Sequence, residues 1–171
     1  TVSIEFVKAL EVELGSIFRL WISSISLKSL KFGSSRQEAD VQNYMKNSES
    51  EEGIPIKSRM FSIGTMGYLL RDIDNAISKR DKVNEPDSLI SCMASKVQVI
   101  EDMQPLLHKS FYKKFLNKVS HSYRNGGAHD QKVSLSTCIQ CRDDILGTSS
   151  ITGWLTMVSQ ALASLNQSLF K

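Results

Sequence analysis

Proline and cysteine are scarce in this sequence, and no apolar run is long enough to cross a bilayer. The chain has 171 residues but only three prolines, three cysteines and nine glycines. Few prolines and glycines leave room for long helices. An odd, small number of cysteines argues against a disulfide framework, so we expect a reducing, cytoplasmic setting. Because no run approaches the roughly 18 apolar residues of a spanning helix, and no signal-peptide pattern opens the chain, we expect no membrane partner.

Length and composition are those of an ordinary globular domain. Apolar residues make up 41% and charged residues 23%, and the net charge of +3 is too small to indicate nucleic acid by itself. We expect residues 1–171 to form a single helical domain. The chain opens with Thr1 instead of methionine, which leaves two explanations: a part of a longer protein, or a start trimmed of its methionine.

Apolar residues recur with helical spacing over most of the chain. Segment 3–32 carries the stripe Val7, Leu10, Leu14, Ile17, Phe18, Trp21 and Ile25. Further stripes predict helices at about 61–77, 86–100, 105–119, 134–146 and 151–169. Residues 33–59 lose the period and are rich in Ser, Gly and Glu, so we expect a flexible polar loop, with or without a short helix at 39–45. The sequence therefore predicts an all-α bundle of about six helices.

Basic residues and all three histidines gather in the fourth predicted helix and just beyond it. An eleven-residue separation, about three α-helical turns, predicts that Lys113 and Arg124 share one stripe. A basic helix face that carries aromatic residues attracts a phosphate backbone. A solvated lysine face is the commoner explanation of such a run. We assign RNA binding to Lys109, Lys113, Lys114, Lys118 and His121.

The sequence SYRNGGAHD, residues 122–130, follows this helix and carries the most specific chemical pattern. Arg124 offers a planar fork of donors that matches a phosphate and stays charged. His129 is of the residue type best suited to move a proton near neutral pH. The glycine pair between them permits a tight turn or the approach of backbone N–H groups to an anion. We therefore assign catalysis to Arg124 and His129, with Asn125 orienting either partner.

A packing explanation of the same residues stays open. Arg124 could pair with a carboxylate at a helix end, the glycines could form an ordinary interhelical turn, and His129 could cap the next helix. No metal and no cofactor are expected. The pair Cys138 and Cys141 supplies only two ligands where a structural zinc site needs four, and it falls in a predicted helix.

A helical bundle with Arg-polar-x-x-x-His between its later helices resembles the HEPN superfamily of nucleotide-binding and ribonuclease domains. Arg124, Asn125 and His129 match the family's Arg-x(4–6)-His motif. The resemblance implies a metal-independent endoribonuclease of a toxin–antitoxin, antiviral defence or RNA-processing system. It also implies a homodimer whose two motifs form one RNA-cleaving cleft, with a regulatory protein as a further partner. One branch of the family has a tyrosine two residues after the histidine, where this chain has Gln131.

A second hypothesis comes from another functional class. Some members of the same superfamily have lost catalysis, so the chain is alternatively a non-catalytic helical module. Such a module binds a protein partner or a nucleotide within a larger assembly. The acidic residues at 38–52 would suit a protein partner.

Overall fold

The structure is a computed structural model, and it describes residues 2–23, 62–79, 89–124 and 134–169. Within these ranges the chain forms helices and no β-strand, which confirms the predicted all-α bundle. The described residues contain six main helices: α1 (Val2–Ser23), α2 (Ile63–Ser78), α3 (Leu89–Val97), α4 (residues 110–124), α5 (Leu135–Leu146) and α6 (Trp154–Leu169). The predicted polar loop at 33–59 and the short helix at 39–45 lie outside the described residues. None of the helices described is long and apolar enough to span a membrane.

Helix α1 is the central element of the core. The members of its predicted stripe between Val7 and Trp21 are all at most 2% exposed. It packs against α5 and α6, against the last turns of α4, and against α2. Because one helix contacts four others, burying this stripe supplies much of the hydrophobic stabilisation that holds the bundle together.

Serine caps define the starts of α2 and α5. The side-chain oxygen of Ser62 accepts a hydrogen bond from the Thr65 N–H at 3.1 Å, and that of Ser134 accepts one from Thr137 at 3.2 Å. Each cap satisfies an N–H group that has no partner within its helix. Helix α5 ends at Gly147 with a φ of 85°. The predicted bounds of α5 are therefore confirmed.

Two helices begin later than their apolar stripes predicted. After the 3-10 turn Glu101–Met103, residues 104–108 form turns, and α4 begins only at Ser110, where the His108 ring accepts the Ser110 N–H at 3.2 Å. Leu107 is buried from this turn and is not part of the helix. Helix α6 begins at Trp154, and Ile151 is 66% exposed. Because Leu107 and Ile151 continue the apolar stripes without being helical, both helices were predicted to begin too early.

Candidate functional site

Helix α4 is wider than an ordinary α-helix over most of its length. Ser110–Phe115 and Val119–Arg124 are π-helical, and only Leu116–Lys118 between them is α-helical. At 3.6 residues per turn, each step of four residues rotates a side chain by about 40°, and wider turns reduce this drift. The α4 core row, at four-residue intervals, consists of Phe111, Phe115, Val119 and Tyr123, all at most 5% exposed.

The same four-residue period aligns polar residues on a second face of α4. Lys109, Lys113, Asn117 and His121 recur at this interval and all line a pocket. The predicted stripe shared by Lys113 and Arg124 assumed 3.6 residues per turn, which α4 does not keep. The row of Lys113 continues through Asn117 to His121. The Arg124 side chain lies outside the described residues, so its shared stripe with Lys113 stays a prediction.

This pocket, of about 610 Å³, lies between α2 and α4 and is called the α2–α4 pocket below. Its apolar part is formed by Ile63, Gly67 and Leu116. A Cβ at Gly67 would lie 3.6 Å from both the Leu116 side chain and the Tyr112 carbonyl oxygen. Helix α4 therefore passes close to Gly67.

Helix α2 contributes an aromatic and polar wall. Tyr68, Arg71 and Asn75 all line the pocket, and Tyr68 is 55% exposed. The guanidinium carbon of Arg71 lies 4.9 Å from the centroid of the Tyr68 ring, a cation–π arrangement. Arg71 also donates from Nε and Nη2 to Asp72 Oδ1 at 3.0 and 2.8 Å, so Asp72 largely offsets its charge. The α2 wall thus presents three groups to the pocket: the partly exposed Tyr68 ring, the Arg71 guanidinium and the Asn75 amide.

The positive charge of the pocket comes mainly from α4. Lys109 and Lys113 are exposed, and neither forms an ion pair within the part of the chain that the structure describes. No carboxylate is among the residues that line the pocket. Two lysines at a concave surface, neither of them paired with a described carboxylate, create a positive potential that attracts anions.

Tyr112 forms a hydrogen bond between α4 and α2 beside the pocket. Its hydroxyl donates to Asp74 Oδ2 at 2.5 Å. Burial, followed by the hydrogen bond to Asp74 and the charge of that carboxylate, raises the pKa of Tyr112 to about 12. The phenol is therefore neutral at physiological pH and acts as a donor that fixes the spacing of the two helices.

Replacing Tyr112 with phenylalanine is expected to lower stability by about 1–2 kcal/mol at neutral pH, and by progressively less between pH 10 and pH 12. The unfolded phenol loses its proton near its ordinary pKa of 10.0, whereas the folded one keeps it until about 12. Between pH 10 and pH 12, unfolding therefore releases a proton. The stabilisation that the Tyr112 hydroxyl contributes is complete below pH 10 and is lost as the pH rises through 12. Urea unfolding of both proteins across this range measures the difference. A difference that does not change with pH would contradict the assignment.

The lysines predicted to bind RNA divide into different environments. Lys109 and Lys113, with His121, line the α2–α4 pocket, whereas Lys114 is exposed and does not line it. Lys118 forms an ion pair with Asp144 Oδ2 of α5 at 2.9 Å.

Tyr123 donates to the same oxygen of Asp144 at 2.5 Å. Burial and this carboxylate raise the pKa of Tyr123 well above its usual range. The Lys118 ammonium also lies 5.4 Å from the centroid of the Tyr123 ring. Lys118 therefore helps to fasten α4 to α5, on a face of α4 other than that of the pocket.

The predicted catalytic residues are described only in part. Arg124 is the last residue of α4 and follows the lining residue Ser120 by four positions. The Arg124 side chain, Asn125 and His129 lie outside what the structure describes. Their roles remain predictions from the motif.

Sequence reasoning missed the α2 side of the pocket. Tyr68, Arg71 and Asn75 are spaced i, i+3, i+7, so they share one face of a helix whose apolar stripe lies elsewhere. That spacing was a usable signal for a second functional face. It could not show that this face lies opposite the lysines of α4.

The two cysteines of α5 do not resemble a metal centre. Cys141 is buried, and burial raises the pKa of its thiol to about 11, so it packs as a neutral side chain. Within the described ranges, no group of three or more His, Cys, Asp or Glu side chains is placed to hold a metal ion.

Comparisons with protein-family models, with curated proteins and with solved structures found no significant match to this chain.

Proposed function

We propose that this chain is a cytoplasmic ribonuclease domain of the HEPN type, which cleaves RNA without using a metal ion. Arg124 holds the scissile phosphate, His129 moves a proton, and Asn125 orients one of them. The proposal rests on the Arg-Asn-x-x-x-His motif together with the all-α bundle and the cationic pocket on the same helix.

The observation that carries this proposal is the position of the α2–α4 pocket along α4. Lys109, Lys113 and His121 line the pocket, and Arg124 ends the same helix, one four-residue turn after Ser120. An RNA strand with phosphates on the two lysines would run along α4 towards the motif. A binding surface that leads towards Arg124, the first residue of the motif, supports cleavage of the strand that it holds.

The proposed reaction is an internal transesterification. The ribose 2′-oxygen attacks the adjacent phosphorus while the bond from phosphorus to the 5′-oxygen of the next nucleotide breaks. The 2′-hydroxyl gives its proton to a base, and the leaving 5′-oxygen takes a proton from an acid. His129 serves one of these roles, and Arg124 stabilises the extra negative charge on the phosphate in the transition state. In a symmetric homodimer a second copy supplies the other histidine, as the family resemblance implies.

The chemistry is tested by incubating the full chain with mixed single-stranded RNAs in excess EDTA. Cleavage is expected, with products that end in a 2′,3′-cyclic phosphate and a 5′-hydroxyl. A substrate with a 2′-deoxyribose at the cleaved nucleotide should remain intact, because it lacks the attacking oxygen. Activity that depends on an added divalent metal, or that cuts DNA equally, would contradict the proposal. Binding of RNA without cleavage would favour the non-catalytic binding module.

A further inference from the structure

The α2–α4 pocket has features that the Arg/His motif does not explain. Its size, about 610 Å³, lies within the roughly 300–1,000 Å³ of pockets that enclose one small molecule. From its contents we infer that it holds one unpaired nucleotide of a single-stranded RNA, with the base against Tyr68 and the phosphate on Lys109 and Lys113. The choice of RNA rests on the proposed function, whereas the placement rests on the residues of the pocket.

The α2 wall suits the flat face of a base. Tyr68 leaves 55% of its surface exposed, and the Arg71 guanidinium lies over its ring. Unpaired bases stack on aromatic rings and on arginine planes, and this stacking tolerates any base. Because Asp72 already offsets the charge of Arg71, we assign Arg71 to stacking and not to phosphate binding.

The interior of the pocket suits the rest of a nucleoside. Ile63 and Leu116, which are buried, and Gly67, which is half-buried, form an apolar lining against which the base or the sugar can pack. Asn75 on α2 and Asn117 on α4 face the same space from its two sides. An amide both donates and accepts, so it can match the polar edge of a base.

The two lysines of the pocket suit a phosphate that lies beyond the stacked base. Lys109 and Lys113 are one four-residue step apart on α4, and no described carboxylate pairs with either. Lysine binds phosphate as a point charge without requiring a fixed fork geometry. An acidic peptide would use the two lysines but would leave the exposed ring without a function.

A single strand, and not a duplex, follows from this geometry. In a duplex each base is stacked on both faces and its polar edge is paired, so it cannot lie on Tyr68 or meet the amides. A nucleotide in a single strand can turn out of the stack and enter a pocket between two helices.

The experiment measures binding of a labelled ten-nucleotide RNA to the full chain carrying His129→Ala, by fluorescence anisotropy. Tyr68→Leu is expected to weaken binding about 5- to 100-fold, whereas Tyr68→Phe, which keeps the ring, should stay within about threefold. Lys113→Gln should reduce the slope of log affinity against log salt concentration by about 0.7, the contribution of one single-strand phosphate contact. Lys8→Gln, an exposed lysine of α1 paired with Glu5, is the matched control and should leave both quantities unchanged.

Three results would overturn the inference: equal binding of the same RNA as a duplex, Tyr68→Leu binding like its parent, or displacement of the RNA by an acidic peptide. Since the binding assay does not depend on cleavage, the two proposals fail separately. Loss of binding in Tyr68→Leu with no cleavage by the unmodified chain would support the pocket and contradict the ribonuclease. Metal-free cleavage by the unmodified chain, with unchanged RNA binding in both pocket variants, would support the ribonuclease and contradict the pocket. Circular dichroism confirms folding, which the exposed positions of Tyr68 and Lys113 should not affect.

Discussion

Replacing His129 with alanine is expected to lower the rate of RNA cleavage at least about 100-fold, because a positioned general acid or base contributes about 10²–10⁴-fold. Arg124→Ala should cost about 10²–10³-fold, the usual effect of removing a donor that stabilises transition-state charge. The measurement is the initial rate of product formation in EDTA under single-turnover conditions. Helical circular dichroism should be the same in both variants.

Matched controls separate chemistry from nonspecific damage. His108 is exposed, and its ring forms hydrogen bonds with Ser110. His108→Ala should therefore keep the rate within about twofold. Arg142 is an exposed arginine of α5 paired with Asp143, and Arg142→Ala should also keep the rate. Undiminished cleavage in both His129→Ala and Arg124→Ala would show that the motif is not the active site.

Replacing Gly153 with alanine is expected to lower the free energy of unfolding by about 3 kcal/mol or more. A Cβ at this position would lie 2.3 Å from both the Gly147 nitrogen and the Leu146 carbonyl carbon, far inside van der Waals contact. These are backbone atoms, so the connection between α5 and α6 must open to make room. Opening this connection would weaken or break the hydrogen bond that the Thr148 N–H donates to the Ile151 carbonyl at 2.9 Å. It would also shift α6, which packs on α1.

Urea unfolding followed by circular dichroism measures this loss. Gly64→Ala is the control, because the nearest atom to its added Cβ is 3.9 Å away and φ there is not positive. It should change stability by at most about 1 kcal/mol, in the favourable direction, since alanine favours helix over glycine. A loss below about 1 kcal/mol in Gly153→Ala would show that the two backbones can separate at little cost.

The helices themselves could be predicted because their signals are local. The stripe of α1 and the bounds of α5 at 134–146 each depend on residues within a few positions of one another. The later starts of α4 and α6 could not be read this way. Leu107 and Ile151 extend an apolar stripe, but each lies in a turn: the Leu107 N–H donates to the Met103 and Gln104 carbonyls, and the Ile151 carbonyl accepts the Thr148 N–H.

The sequence alone determined the all-α class and the Arg124–His129 motif on which the proposed chemistry rests. Only the tertiary structure decided which lysine faces which partner: Lys113 faces the α2–α4 pocket, whereas Lys118 pairs with Asp144. The physical reason is that periodicity reports the faces of one helix, while the environment of a polar side chain depends on the helix packed against it. The apolar residues at every fourth position of α4 were visible in the sequence. Only the tertiary structure showed that π-helical turns keep these residues in one buried row.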